Sequence, residues 1–197
     1  MSVIFDMINM ALYTCLIRNV IFTGGFGATE SVRMAAKPKY LFHTSGFIVY
    51  FSVLVALICR TLDLIPPVRN SSVAVHAIVY TLVLVSLYIT TCVAIKTFFN
   101  TDEKLIKRIG VAALNTLVMS VPFINRLSSS SVPDSLGLGI GAGLAYIIAV
   151  SLINVGLRYI SRSRTIPEVF KGVPAVLIYV ALLSMAFTGI SGKPLSL

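Results

Sequence analysis

Charge is what this chain has least of. Its 197 residues include 7 Asp and Glu, 2 His and no Trp, and charged residues together make up only 12% of it. With so few acids and histidines there is no paired catalytic carboxylate motif, no Ser/His/Asp arrangement and no phosphate-cradling loop, so independent catalysis is not expected. Cys15, Cys59 and Cys92 lie singly in apolar runs, without CxxC or Cys/His spacing, which gives neither a disulfide framework nor a metal motif. Small buried side chains are their expected role. The N-terminal stretch also lacks a basic region followed by a small-residue cleavage site, so its apolar run is expected to stay as a helix.

What fills the chain instead is apolar sequence. At 57% hydrophobic and a mean hydropathy of +0.94 it lies far outside the soluble norm. Its long runs are apolar all round, and in so small a chain only lipid can face them. The expected fold is an all-α integral membrane protein, with one transmembrane domain over residues 1–197. The formal charge of +9 does not point to nucleic acid, because the Lys and Arg sit in short loops between apolar runs, where they orient helices against a membrane.

Six runs are long enough to be read as spans at about 1.5 Å per residue. They are Val3 to Phe22, Phe42 to Leu62 (stopped by Pro66 and Pro67), Val73 to Phe99, Ile109 to Ile124, Leu136 to Leu157 and Val173 to Ile190. The loops after the first, third and fifth runs carry Arg33, Lys37, Lys39, then Lys96, Lys104, Lys107, Arg108, then Arg158, Arg162, Arg164, Lys171. The other side has mainly Arg69, Arg126 and Lys193, with Arg60 near the end of the second run. Positive charge stays cytoplasmic, so both termini are expected to face away from the cytoplasm. His43, His76, Asp6 and Asp63 are expected to be interfacial, a lone histidine being more often a hydrogen-bonder than a ligand.

Two runs are irregular. Arg18 to Lys37, RNVIFTGGFGATESVRMAAK, puts charge, amide and clustered glycine at the end of the first run. A spanning helix can lose backbone hydrogen bonds there only if neighbouring helices, polar side chains or water replace them, so Gly24, Gly25 and Gly27 suggest a break packed inside protein. An ordinary helix end and cytoplasmic loop is the alternative. The fourth run is short and interrupted by Asn115, Ser120 and Pro122, which puts a second break near Ser120 to Pro122. Six spans divided into halves of about 1–99 and 100–197 would then form an inverted repeat, each half opening with a broken helix and the two breaks meeting near the midplane. The fifth run opens with GLGIGAG. Without a strand or an aqueous βαβ unit this is no dinucleotide loop, and Gly137, Gly139, Gly141 and Gly143 are expected to give a close-packing face on which a partner helix could lie.

The end of the chain carries a family likeness. Leu157-Arg158, Pro167-Glu168-Val169-Phe170-Lys171-Gly172 and Ala181-Leu182-Leu183-Ser184-Met185-Ala186-Phe187-Thr188-Gly189-Ile190-Ser191-Gly192 resemble the final loop and helix of the six-helix membrane subunits of the Rnf electron-transport complex and of the sodium-pumping NADH:quinone reductase, Nqr. Asn19 and Asp63 also fall at family-like positions, and the termini-out orientation is similar to the A-type Rnf subunit. The resemblance implies a bacterial or archaeal inner-membrane subunit of a heteromeric oxidoreductase. Such a complex passes electrons between a reduced carrier and a second acceptor while moving Na⁺ or H⁺, and this chain would work beside other Rnf-like subunits, among them a sister six-helix membrane subunit.

The departures matter as much. In that family each of two sister subunits offers a cysteine from its first and its fourth broken helix, and together these hold an iron centre. The first follows Gly-Leu and precedes Pro, where this chain has Gly27, Ala28, Thr29 and Glu30. The second follows Thr-Thr-Asn, where this chain has Leu117, Val118, Met119 and Ser120. Hydroxyls are not ordinary ligands of iron–sulfur centres, so no cofactor is expected on this chain. Two functions stay open, a divergent subunit without its own redox centre and a repurposed transporter or channel for a small solute or ion on the same fold; a structural membrane partner is a third. For an ion path or broken-helix site the residues to consider are Arg18, Asn19, Gly24, Gly25, Gly27, Thr29, Glu30, Asn115, Ser120 and Asn154. Glu30 also has a plainer role, as a loop carboxylate paired with Arg33 at i, i+3 spacing.

Overall fold

Ser131 begins the most buried of the long helices. Its hydroxyl accepts the Asp134 N–H while the Asp134 carboxylate accepts the Ser131 N–H at 3.0 Å, a reciprocal cap that starts α9, Val132–Arg162. Ser135 then donates to the Asn125 amide oxygen at 2.9 Å, and Asn125 reaches the Ala56 carbonyl, tying three helices at one level.

The computed structural model describes residues 2–99, 103–128 and 131–192. In chain order the elements are α1 Ser2–Leu12, a π-turn Tyr13–Ile17, α2 Val20–Gly24, α3 Ala28–Ala36, a 3₁₀ turn Pro38–Tyr40, α4 Leu41–Leu62, α5 Pro66–Arg69, α6 Val73–Phe99, α7 Glu103–Ala113, α8 Thr116–Leu127, α9, and α10 Val173–Ile190. Every regular element among the described residues is helical. Five stretches are long and apolar enough to cross a membrane: Pro38–Leu62, Val73–Phe98, Leu105–Leu127, Val132–Arg162 and Val173–Ile190. Val3–Ile17 is a shorter apolar helix. The chain is a multi-pass, all-helical membrane protein.

The core lies where α9 meets α4, α8 and the broken first region. Ile48, Phe51 and Val55 of α4, Leu117 and Val121 of α8, and Tyr146, Val150 and Ile153 of α9 are buried there. Lipid is as apolar as these side chains, so helix association rests on close packing and interhelical hydrogen bonds rather than on escape from water. The α9 glycines make that packing close, and they use two faces. A methyl on Gly137 would strike the Met7 carbonyl and one on Gly141 would lie 2.8 Å from that of Ala11, whereas on Gly139 and Gly143 it would run into Val53 and Val49. Read from the sequence, these glycines offer a face to a partner subunit; in the fold, α1 and α4 of the same chain occupy them. Gly156 is likewise filled, by Tyr179 of α10.

The first run is not one helix. It ends as a π-turn closed by the Arg18 N–H on the Tyr13 carbonyl at 2.8 Å, restarts at Val20 and turns again at Gly25 to Gly27. The fourth run also breaks, but at Leu114 and Asn115 and not near Ser120 to Pro122 as its composition suggests. Pro122 sits inside a continuous α8, where it deletes one donor and supplies no replacement bonds, while Asn115 can start a helix with its own side chain. The charges of Lys193 and the stretch 100–102 lie outside the described residues, as do 129 and 130 of the serine turn.

Candidate functional site

Each break is held by a buried asparagine. Asn19 is wholly buried in extended backbone, and its side-chain oxygen accepts the Ile21 N–H at 3.1 Å. Its amide donates to the Cys15 carbonyl at 3.2 Å and to the Ala145 carbonyl of α9 at 3.3 Å. One side chain thus caps the new helix, satisfies the old one and pins both to α9. Asn115 repeats the first part only: it is buried, starts α8 and accepts the Leu117 N–H at 3.0 Å, but its own amide nitrogen has no partner.

The second turn of the first break docks on the cap of the fourth run. Gly25 and Gly27 take φ of 71° and 76°, values that side chains with a Cβ rarely adopt. The Gly27 N–H donates to the Thr116 hydroxyl at 2.8 Å, and a Cβ on Gly27 would lie 2.9 Å from the Asn115 amide oxygen and 3.0 Å from Leu117 Cβ. The Gly27 carbonyl accepts both the Ser31 N–H and the Ser31 hydroxyl, which starts α3. Farther on, Asn154 of α9 donates to the Ala35 carbonyl at 2.6 Å, so this asparagine ties down the end of α3.

The candidate residues divide between two cavities. Arg18, Gly24 and Ser120 line one of about 330 Å³ together with Thr14, Thr23 and Thr188. Gly27, Thr29, Glu30 and Asn115 line another of about 640 Å³ together with Arg33 and Lys107. Asn19 borders neither, and Gly25 is exposed with open space around it. Glu30 is paired with Arg33 at 3.4 Å. Thr29 is exposed, and Ser120 is buried with its hydroxyl turned onto the Leu117 carbonyl at 2.7 Å. Among the described residues no three His, Cys, Asp or Glu side chains are grouped to hold a metal. Oxygen donors in separate cavities do not fit the thiolate ligation of an iron–sulfur centre.

Sequence reasoning missed Thr116, whose hydroxyl receives the docked turn. The available signal was a threonine directly after the asparagine that interrupts the fourth run. Asp63, read as interfacial, follows the last residue of α4. Asp63 is buried, accepts the Tyr80 hydroxyl at 2.6 Å and lies 3.5 Å from the His76 ring.

No family model matches the chain. It is 36% identical over 78 residues to the A-type subunit of an ion-translocating oxidoreductase complex of Aromatoleum aromaticum, a match that spans 40% of each protein. To the A-type subunit of a proton-translocating ferredoxin:NAD⁺ oxidoreductase complex of Clostridium ljungdahlii it is 32% identical, over 41% of each. The match to the corresponding subunit of Actinobacillus pleuropneumoniae is weaker and longer, 25% identical over 191 residues, covering 95% of this chain and 97% of that protein. This chain is similar to the A-type subunits of ion-translocating oxidoreductase complexes. Since the more similar relatives match over less than half their length and the long match is of low identity, the likeness reaches end to end but is dilute. It agrees with a multi-pass helical subunit.

Proposed function

We propose that this chain is a divergent membrane subunit of an Rnf-like ion-translocating electron-transport complex, without a redox centre of its own. The observation that carries the reading is the 191-residue likeness to an A-type subunit, which takes in both broken runs and the final helix. Thr29 and Ser120 stand where the resembling family has cysteines, which supports passage of electrons through other subunits. Oxidoreduction would then belong to the complex as a whole, and this chain would contribute packing surface and a share of the Na⁺ or H⁺ path.

Six crossings and termini outside the cytoplasm go with this reading. Support comes from the way the broken first region follows α9: Met7 lies against Gly137, Ala11 against Gly141, Asn19 bonds Ala145 and Ala35 bonds Asn154. From Gly137 to Asn154 a helix rises about 25 Å at 1.5 Å per residue, close to the hydrocarbon thickness of roughly 30 Å. A broken first crossing parallel to α9 accounts for this. The matching buried asparagine caps at Asn19 and Asn115 support an inverted pair of halves, about 1–99 and 100–197.

A sister six-helix subunit is the expected neighbour, together with lipid. Purification in mild detergent from the native host, through a tag at Met1, tests this. Co-purification of soluble redox subunits and of a second multi-pass subunit is expected. A lone monomer, competent in solute uptake after reconstitution, would overturn the reading in favour of a transporter.

A further inference from the structure

Three of the basic residues expected on the less basic face meet in one place. Arg60 in the last turn of α4, Arg69 at the end of α5 and Arg126 in the last turn of α8 line a single cavity of about 440 Å³ with Asp63 and Leu64. These residues are far apart in sequence, and the turn at Pro66 and the packing of α4 on α8 bring them together. Among the described residues none of the three guanidiniums has a carboxylate within ion-pair reach. Asp63 gives one oxygen to the Tyr80 hydroxyl, while the other lies 3.5 Å from the His76 ring without a hydrogen bond to it. The Arg60 Nε is buried and has no hydrogen-bond partner.

Guanidiniums stay charged at any pH at which the protein folds, so this charge cannot be relieved by losing protons. The carbonyl ends of α4 and α8 offset about half a charge each. With Asp63 counted, three cations still leave the cavity positive. Three guanidiniums around one cavity, one with a buried unmatched N–H, suit an oxyanion with several acceptor oxygens, which carboxylates satisfy less fully than phosphate.

We propose that this cavity binds a phosphate group. The volume exceeds that of the phosphate alone, so a phosphodiester carried on a small alcohol, as in a phospholipid headgroup, fits as well as the free ion. This site is separate from the two cavities at the breaks and does not depend on the electron-transport reading.

The test uses the full chain in an uncharged detergent, with inorganic phosphate and phosphatidylglycerol as separate probes. In the first arm, thermal unfolding is followed against phosphate, with chloride at matched ionic strength as reference. In the second, native mass spectrometry counts phosphatidylglycerol retained per chain, with phosphatidylcholine as reference. Arg69→Gln changes an exposed side chain and spares the packing, and Arg164→Gln, also exposed and lining none of the cavities described, controls for general loss of positive charge. The expected result is a response in at least one arm that weakens about tenfold in Arg69→Gln and is unchanged in Arg164→Gln. A phosphate response without lipid retention identifies the free ion, and one retained phosphatidylglycerol without a phosphate response identifies the headgroup. No response in either arm, or an equal response from wild type and Arg69→Gln, overturns the proposal.

Discussion

The Gly27 N–H donates to the Thr116 hydroxyl at 2.8 Å, and this bond joins the two irregular runs of the molecule. Gly27→Ala should destabilise the chain by about 1–3 kcal/mol, since its left-handed backbone and the nearby Asn115 oxygen both oppose a methyl group. Thr116→Val should cost less, about 1 kcal/mol, and the two changes together should cost less than their sum because they damage the same contact. Unfolding in detergent by heat or by a graded denaturant measures all three. Additive costs would mean that the contact is not shared.

The two asparagine caps should not be equal. Asn19→Ala strands the buried Ile21 N–H and removes the bonds to the Cys15 and Ala145 carbonyls, at about 2–4 kcal/mol. Asn115→Ala loses one cap bond and removes an unpartnered amide nitrogen, at about 0.5–2 kcal/mol. The same unfolding measurement ranks them, and a larger loss at Asn115 would contradict the bond inventory.

Orientation can be read with fusions. A reporter that matures only in the cytoplasm should be silent when joined to Leu197 and active when inserted near Lys104, as the proposed orientation with the basic loops inside requires. The reverse pattern would invert the topology.

Protein prepared without oxygen should contain no stoichiometric iron or acid-labile sulfide, given hydroxyls at Thr29 and Ser120. Iron found at one equivalent per pair of subunits would point to Cys15, Cys59 or Cys92 and to a rebuilt site. Their replacement by serine would then have to abolish it.

Composition and run length were enough to establish a membrane protein with its long helices, and α10 was legible to the residue, Val173 to Ile190. These properties are local sums over consecutive side chains, so no fold is needed to read them. Where a helix breaks and what touches it are different questions. Whether the chain leaves a helix at Asn115 or at Pro122 depends on where lost backbone bonds are replaced. At Asn115 the side chain supplies one and the Gly27 turn packs on the restart; at Pro122 a donor is simply missing. Asn19 was legible as a polar residue in an apolar run, but its role rests on the Ala145 carbonyl, delivered from another helix. The glycines of α9 announced close packing, yet only the bundle decided that α1 and α4 take both faces, because four glycines at alternate positions can serve two neighbours as readily as one. The three arginines likewise read as scattered loop charges until the turn after α4 and the packing of α8 brought them around one cavity.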